Sequence, residues 1–184
     1  TAAFLSKNGY QVELLTVDNK GIVDMDKLRS ALTPDTAIVS VMHVNSETGT
    51  IQPIKEISSI AKAVNPNIAV HSDCVQSYGK LPVSAKLMGV DMLSVSAHKI
   101  PGPRGVGFLY VKDGIRIAPL LCGGGQEKAL RSGTENLPGI AGFAKIAKEA
   151  CGKLEEHNKH VKELNKIFRE IITEEIRSSN IISN

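Results

Sequence analysis

Tryptophan is absent from this 184-residue chain, and Phe and Tyr bring the aromatic share to only 4%. Flat ring surfaces on which nucleobases stack are therefore scarce. Lys and Arg number 22 against 19 Asp and Glu, a formal net charge of +3. That excess is too small and too evenly spread to attract nucleic acid by charge alone. No run approaches the ~18 consecutive apolar residues of a membrane-spanning helix, so no membrane role is expected. Cysteine occurs three times, at Cys74, Cys122 and Cys151, and never as C-x-x-C. An odd count at wide spacing suggests neither a disulfide framework nor a metal site, and a reduced, cytoplasmic compartment is the expectation. The N-terminus has neither a signal-peptide shape nor an initiator Met, and the chain reads as a piece of a longer protein.

What is present is ordinary globular material, 42% apolar and 22% charged, enough for one domain and the start of a second. Residues 2–8 read as a short helix stopped by Gly9, and residues 11–17 as a strand. Asp24 caps a helix over residues 25–32, which ends before Thr33-Pro34. Residues 36–44, TAIVSVMHV, form a β-branched run that suits a strand buried on both faces of a parallel sheet. Pro53 opens a helix with Ile54, Ile57, Ile60, Ala61 and Val64 at helical spacing. Residues 68–71 read as a strand with Asp73 just past its end, and residues 87–90 close a helical turn. Residues 92–97 form a strand that runs into His98-Lys99. Strands over 107–112 and 115–121 flank Asp113-Gly114, a hairpin signal. Gly123, Gly124 and Gly125 make a loop, and residues 138–177 form one long helical pattern with a break point near Gly152. Strands alternating with helices define an α/β class with a mostly parallel sheet.

Three segments carry chemistry: HVNSETG from His43, HSDCVQSYGK from His71, and SVSAHKIPGPRGVGFLYVK from Ser94. Each follows an expected strand, and open α/β sheets bind ligands beyond the carboxyl ends of their strands. Asn45, Asp73, Gln76, Ser96, His98 and Lys99 are thus expected to converge on one crevice. Taken singly, a strand-end Asp is an ordinary helix cap, a lone Lys is solvated, and His43 and His71 are packed or hydrogen-bonded. Together they suit pyridoxal 5'-phosphate. That cofactor needs a lysine amine for a Schiff base, a carboxylate at the pyridine nitrogen, and donors for its phenolic oxygen and phosphate. Lys99 would be the amine, Asp73 the carboxylate and Gln76 the group facing the phenolic oxygen. Ser96 and His98, two apart, would reach the phosphate from one side.

HVNSETG, the D-x-x-Q of SDCVQSYGK, SAHKIPGPRGVGFLYV and GGGQEKALRSGTENLPGIAGF closely resemble the cysteine desulfurases of the nitrogen-fixation and iron–sulfur-cluster type. These are class V aminotransferase-like enzymes of the aspartate aminotransferase fold. The resemblance runs from the strand at Gln11 to about Ala147. It implies a three-layer α/β domain, with residues 1–137 its central part and residues 138–184 a long helix linking towards a small domain. It also implies roles for residues: Lys99 and His98 catalytic, with Lys99 the Schiff-base lysine and His98 shared with the phosphate. Asn45, Asp73, Gln76 and Ser96 would bind cofactor. Thr134, in RSGTEN, would reach the cofactor phosphate of a partner subunit, and hence a homodimer. The implied reaction takes L-cysteine to L-alanine and hands a persulfide sulfur to an acceptor or iron–sulfur scaffold protein.

Departures from the family pattern matter too. None of the three cysteines has the context of the family's sulfur-accepting cysteine, and Cys74, Cys122 and Cys151 are all expected to be small buried residues. The family's stacking histidine and carboxylate-binding arginine have no match here, so this stretch alone is expected to be inactive. Selenocysteine lyase and other class V enzymes share these motifs. A reading of another class is a non-catalytic scaffold that dimerises or binds acceptor proteins; the intact Lys99, Asp73 and Gln76 weigh against it.

Overall fold

The computed structural model describes residues 1–176. In chain order it contains α1 (Ala2–Lys7), α2 (Met25–Ala31), β1 (Ile38–Met42), α3 (Ile54–Val64), β2 (Ala69–Asp73), α4 (Ala85–Met88), β3 (Met92–Ser96), β4 (Gly107–Val111), α5 (Leu137–Gly152) and α6 (Leu154–Glu175). The sheet order is β1-β2-β3-β4; β1, β2 and β3 run parallel, and β4 closes the edge antiparallel to β3. The α/β class and the mostly parallel sheet are as expected.

Local chemistry explains most of the elements. The Asp24 carboxylate accepts from the amides of Asp26 and Lys27 and so starts α2. Ser84 does the same for α4 through the Leu87 amide, and Gly89 ends that helix at φ 71°, a conformation that favours glycine. α3 buries Ile54, Ile57, Ile60 and Ala61 along one stripe and touches α2, α4 and β2.

Register divides the sheet into two unlike faces. Val39 pairs with Val70 and Val41 with Ser72, while Leu93 and Val95 continue the same face; these residues are buried. Phe108, opposite Val95, stacks on Phe143 of α5 at 5.7 Å and meets Tyr78 edge-on at 5.6 Å. The other face carries Ser40, His71, Asp73, Ser94 and Ser96, with Ile38, Met42 and Leu109 exposed among them. The described residues thus supply the sheet and one helical layer of the expected three-layer arrangement.

Several expectations are corrected. Residues 11–17 form no strand; only Val17 pairs, with Val23, because no neighbouring strand offers a ladder to the rest. β1 is shorter than 36–44 and alternates exposed and buried, so only one of its faces is covered. Asp73 is the last residue of β2 rather than just past it. Residues 115–121 do not pair with β4, whose partner is β3; Leu121 alone bridges, in parallel, to Arg131. The long helical pattern breaks where expected, into two helices at Lys153, where φ is −111° next to Gly152. Its expected end at Arg177 lies outside the described residues.

At the start of β3, Asp91 is 1% exposed. Its Oδ2 accepts from Lys62 Nζ of α3 at 2.5 Å and from the Val70 amide of β2 at 3.0 Å, and its Oδ1 from Lys112 Nζ beyond β4 at 3.4 Å. Burial alone would raise this carboxyl; the hydrogen bonds from Lys62 and Val70 and the Lys62 charge outweigh it, and it lies below its ordinary 3.8. A carboxyl depressed on folding contributes stability that is complete above its unfolded value and fades as pH falls through its folded one. Asp91→Asn should therefore lower stability near neutral pH by about 1–3 kcal/mol and flatten the loss of stability on the acid side. Urea unfolding followed by circular dichroism, repeated from neutral pH down to about pH 3, checks this. An acid limb identical in both proteins would remove Asp91 from the role.

Candidate functional site

The carboxyl ends of β1, β2 and β3 lie along one edge of the sheet, and a chemistry-bearing segment leaves each. After β1, His43 continues the ladder, its amide donating to the Asp73 carbonyl at 2.8 Å. The chain then folds back on itself: Val44 bridges antiparallel to Ile51, and the Asn45 amide donates to the Thr50 carbonyl at 3.0 Å. Asn45 Oδ1 accepts from the amides of Glu47 and Thr48, at 2.9 and 3.1 Å, which closes the turn and leaves Nδ2 as the end that can meet a ligand. Gln52, buried, anchors the returning strand: its Oε1 accepts from the Val23 amide at 3.0 Å and its Nε2 donates to the Gly21 carbonyl at 2.7 Å.

Beyond β2, Asp73 Oδ1 accepts from the Val75 amide at 2.9 Å, and the carboxylate is exposed at the strand end. The amides of Ser77 and Tyr78 both donate to the Cys74 carbonyl, winding a tight turn that presents Gln76 and Lys80. Tyr78, in the aromatic cluster with Phe108 and Phe143, pins that turn to the core.

Beyond β3 the backbone tightens into a single helical turn, Ala97–Lys99. Ala97 is fully buried, whereas His98 and Lys99 are exposed. Ser96 Oγ and His98 Nδ1 are 2.7 Å apart and act as one unit. The turn rests on Gly102: a Cβ there would lie 2.8 Å from the Ala97 carbonyl oxygen and 3.0 Å from Ile146 Cγ2 of α5. None of the ion pairs among the described residues uses Lys99 or Asp73.

The structure thus brings Asn45, Asp73, Gln76, Ser96, His98 and Lys99 to one edge. Thr134 stands apart on an exposed loop, and no described contact joins it to the others. That loop is held by Gln126, whose Oε1 accepts from the Gly133 amide at 3.0 Å, and it includes Glu127, Lys128 and Ala129 at φ 49°, 56° and 63°. Such left-handed conformations in non-glycine residues persist only where the surroundings enforce them.

His71 is hydrogen-bonded, as expected, but its partner Ser40 was missed: Ser40 Oγ and His71 Nδ1 lie 2.8 Å apart on the polar sheet face. The two-residue step from His71 to Asp73 was the available signal, since alternate strand residues share a face. Burial lowers the pKa of both His43 and His71, and the Asp73 charge partly opposes this at His71. Cys74 is fully buried, as expected. Cys122 and Cys151 are exposed, contrary to expectation. The first lies in a glycine loop with no core to enter, and the second near the end of α5, beside Tyr78 but still open to solvent.

The donor set at the strand edge fits a phosphorylated pyridine aldehyde: an unengaged lysine amine, a carboxylate with one oxygen uncommitted, an amide, and a paired hydroxyl and imidazole. The description "Aminotransferase class-V" fits residues 1–183 of this sequence. The chain belongs to the class V aminotransferase family. It is 45% identical over 182 residues to a protein named cysteine desulfurase IscS from Dictyoglomus turgidum, covering 98% of this chain and 45% of the relative. It is 42% identical to the mitochondrial cysteine desulfurase of Saccharomyces cerevisiae, covering 97% of this chain and 36% of that protein. Among solved structures, a NifS-like protein superposes with a TM-score of 0.94 at 41% identity, over 99% of this chain and 49% of its own. A structure titled SspA in complex with cysteine gives a TM-score of 0.75 at 39% identity, over 79% of this chain and 42% of its own. The chain spans less than half the length of these relatives. No described helix is long and apolar enough to cross a membrane.

The burial of the thiols makes a direct prediction. With a thiol reagent, Cys122 and Cys151 of the native chain should titrate within minutes and Cys74 only on unfolding. Native titration of three thiols, or of one, would contradict the packing described.

Proposed function

We propose that this chain supplies the central part of the cofactor-binding domain of a pyridoxal-phosphate-dependent cysteine desulfurase. Residues 1–137 belong to that domain, and residues 138–184 link towards a second. Support comes from two sources: the single edge that gathers Lys99, Asp73 and Gln76 at the ends of adjacent parallel strands, and relatives of about 45% identity named for this activity. The relative solved with cysteine supports L-cysteine as substrate.

When bound, the cofactor supplies an electron-withdrawing ring that eases bond changes at the substrate's α-carbon. Lys99 is the amine that would hold it covalently and, once released by the substrate amine, would carry protons at that carbon. Asp73, with Oδ1 tied to the Val75 amide, offers Oδ2 to keep the ring nitrogen protonated. Gln76 would meet the phenolic oxygen, and Asn45 would offer its Nδ2. Ser96 and His98, already joined, would bind the phosphate together, and His98 would also assist proton transfer. Thr134, on its separate loop, suits a phosphate in a second subunit, hence a homodimer. The product sulfur passes as a persulfide to an acceptor or iron–sulfur scaffold protein, in the cytoplasm.

In the longer protein, borohydride reduction in the presence of cofactor followed by peptide mapping should place the adduct on Lys99. Lys99→Ala should abolish alanine formation from cysteine. An adduct on another lysine overturns the assignment. Asp73→Asn should retain cofactor but lose at least a hundredfold in kcat, since an amide cannot hold the ring proton; about 2.7 kcal/mol of barrier corresponds to that loss. Near-normal turnover would exclude Asp73 from this part.

A further inference from the structure

Gln76 has two unlike ends, a carbonyl Oε1 that accepts and an Nε2 that donates, and a half-turn of the amide exchanges them. A partner that can only donate fixes the choice. Lys80 lies four residues on in the same turn, with its Nζ 3.5 Å from Gln76 Oε1. An ammonium has no acceptor, so this contact is open to Oε1 alone and turns Nε2 the other way. The contact is long and lies on an exposed turn.

The place of Lys80 is built rather than incidental. Gly79, at φ +71°, packs so closely beneath Ile100 that a Cβ would lie 2.8 Å from Ile100 Cγ2 and 3.1 Å from Ala150 Cβ. The backbone just before Lys80 is therefore held against the residue that follows Lys99, while the Lys80 side chain itself stays exposed. Its amide donates to the Ser77 carbonyl at 3.0 Å, and the Leu81 amide to the same oxygen at 2.8 Å. Burial, and after it the charge of Lys99, push the Lys80 amine below the ordinary lysine value. The two lysines thus share one neighbourhood.

We propose that Lys80 is a positioning residue of the cofactor site. It holds Gln76 by the carbonyl end, so that the amide NH₂ is presented as a donor to an anionic oxygen in the crevice. The inference rests on the reading above, in which that oxygen is the cofactor's phenolic oxygen.

The test uses the full-length protein that carries this chain. The cofactor is titrated by fluorescence quenching, and the pH midpoint of the bound cofactor's visible absorbance is recorded. Lys80→Met should weaken cofactor binding about five- to tenfold, the scale of one net hydrogen bond, and shift the absorbance midpoint. Lys80→Arg, which also can only donate, should stay within about twofold. In a Gln76→Ala background Lys80→Met should weaken cofactor binding no further, because that effect runs through Gln76. Lys80→Gln serves as the neutral variant if Lys80→Met does not fold. Wild-type binding and absorbance in the neutral variant overturn the proposal, as do additive effects of the two substitutions. Reductive trapping separates this from the broader reading. An adduct on Lys99 together with an unaffected neutral variant sinks the role of Lys80 alone; an adduct elsewhere sinks both.

Discussion

At the start of β3 a carboxylate withdrawn from water gathers donors from three directions: a lysine of α3, an amide of β2 and a lysine beyond β4. A buried charge is tolerable only when its partners are in place, and removing one leaves the others uncompensated. Asp91 is therefore sensitive to the position of every element it touches. It locks the amino end of β3 beside β2, and the register that follows sets His71 opposite Met92 and Asp73 opposite Ser94. Five residues of strand then carry the chain to Ser96, and the turn at Ala97–Lys99 delivers the lysine. The site at one end of the sheet inherits its precision from an ion cluster at the other. Much of the benefit comes through Lys62, because Lys112 remains 58% exposed and its attraction is weakened by water.

How far this was legible from sequence differs from element to element. The helix at Pro53 was legible because Ile54, Ile57, Ile60 and Ala61 repeat at helical spacing and that stripe is what the core requires. The strands bearing Asp73 and Lys99 were legible because parallel strands are apolar runs punctuated by the polar groups they present. The run at 115–121 looked equally strand-like, yet Leu120 is 85% exposed and the stretch pairs at a single residue. Local composition does not reveal whether a neighbour exists. β4 had already found its partner in β3, so the turn at Asp113-Gly114 leads away from the sheet. The same limit hid the pairing of Ser40 with His71, which depends on the register between β1 and β2. The place of Asp91 has no local signal in the sequence, since nothing near it shows that Lys62 and Lys112 converge on it.

Cys74 shows how closely position and chemistry are tied in this fold. It adjoins Asp73, the carboxylate proposed for the cofactor ring, and by sequence alone it is the thiol nearest the proposed chemistry. Its amide extends the ladder by donating to the Ser94 carbonyl at 2.9 Å, so its side chain falls on the face opposite that of Asp73. There it is fully buried, and burial raises its pKa; the Ser72 and Ser77 hydroxyls oppose that in part, and the Asp73 charge adds a smaller rise. A thiol that is slow to ionise and closed to approach makes a poor nucleophile. The alternation that removes Cys74 is the one that turns Asp73 outward. A one-residue slip of β2 that freed the thiol would bury the carboxylate against Val41 and Leu93 of the neighbouring strands. The arrangement cannot offer both groups to the crevice, so a sulfur-accepting thiol for the proposed reaction must come from a segment not bound to this strand.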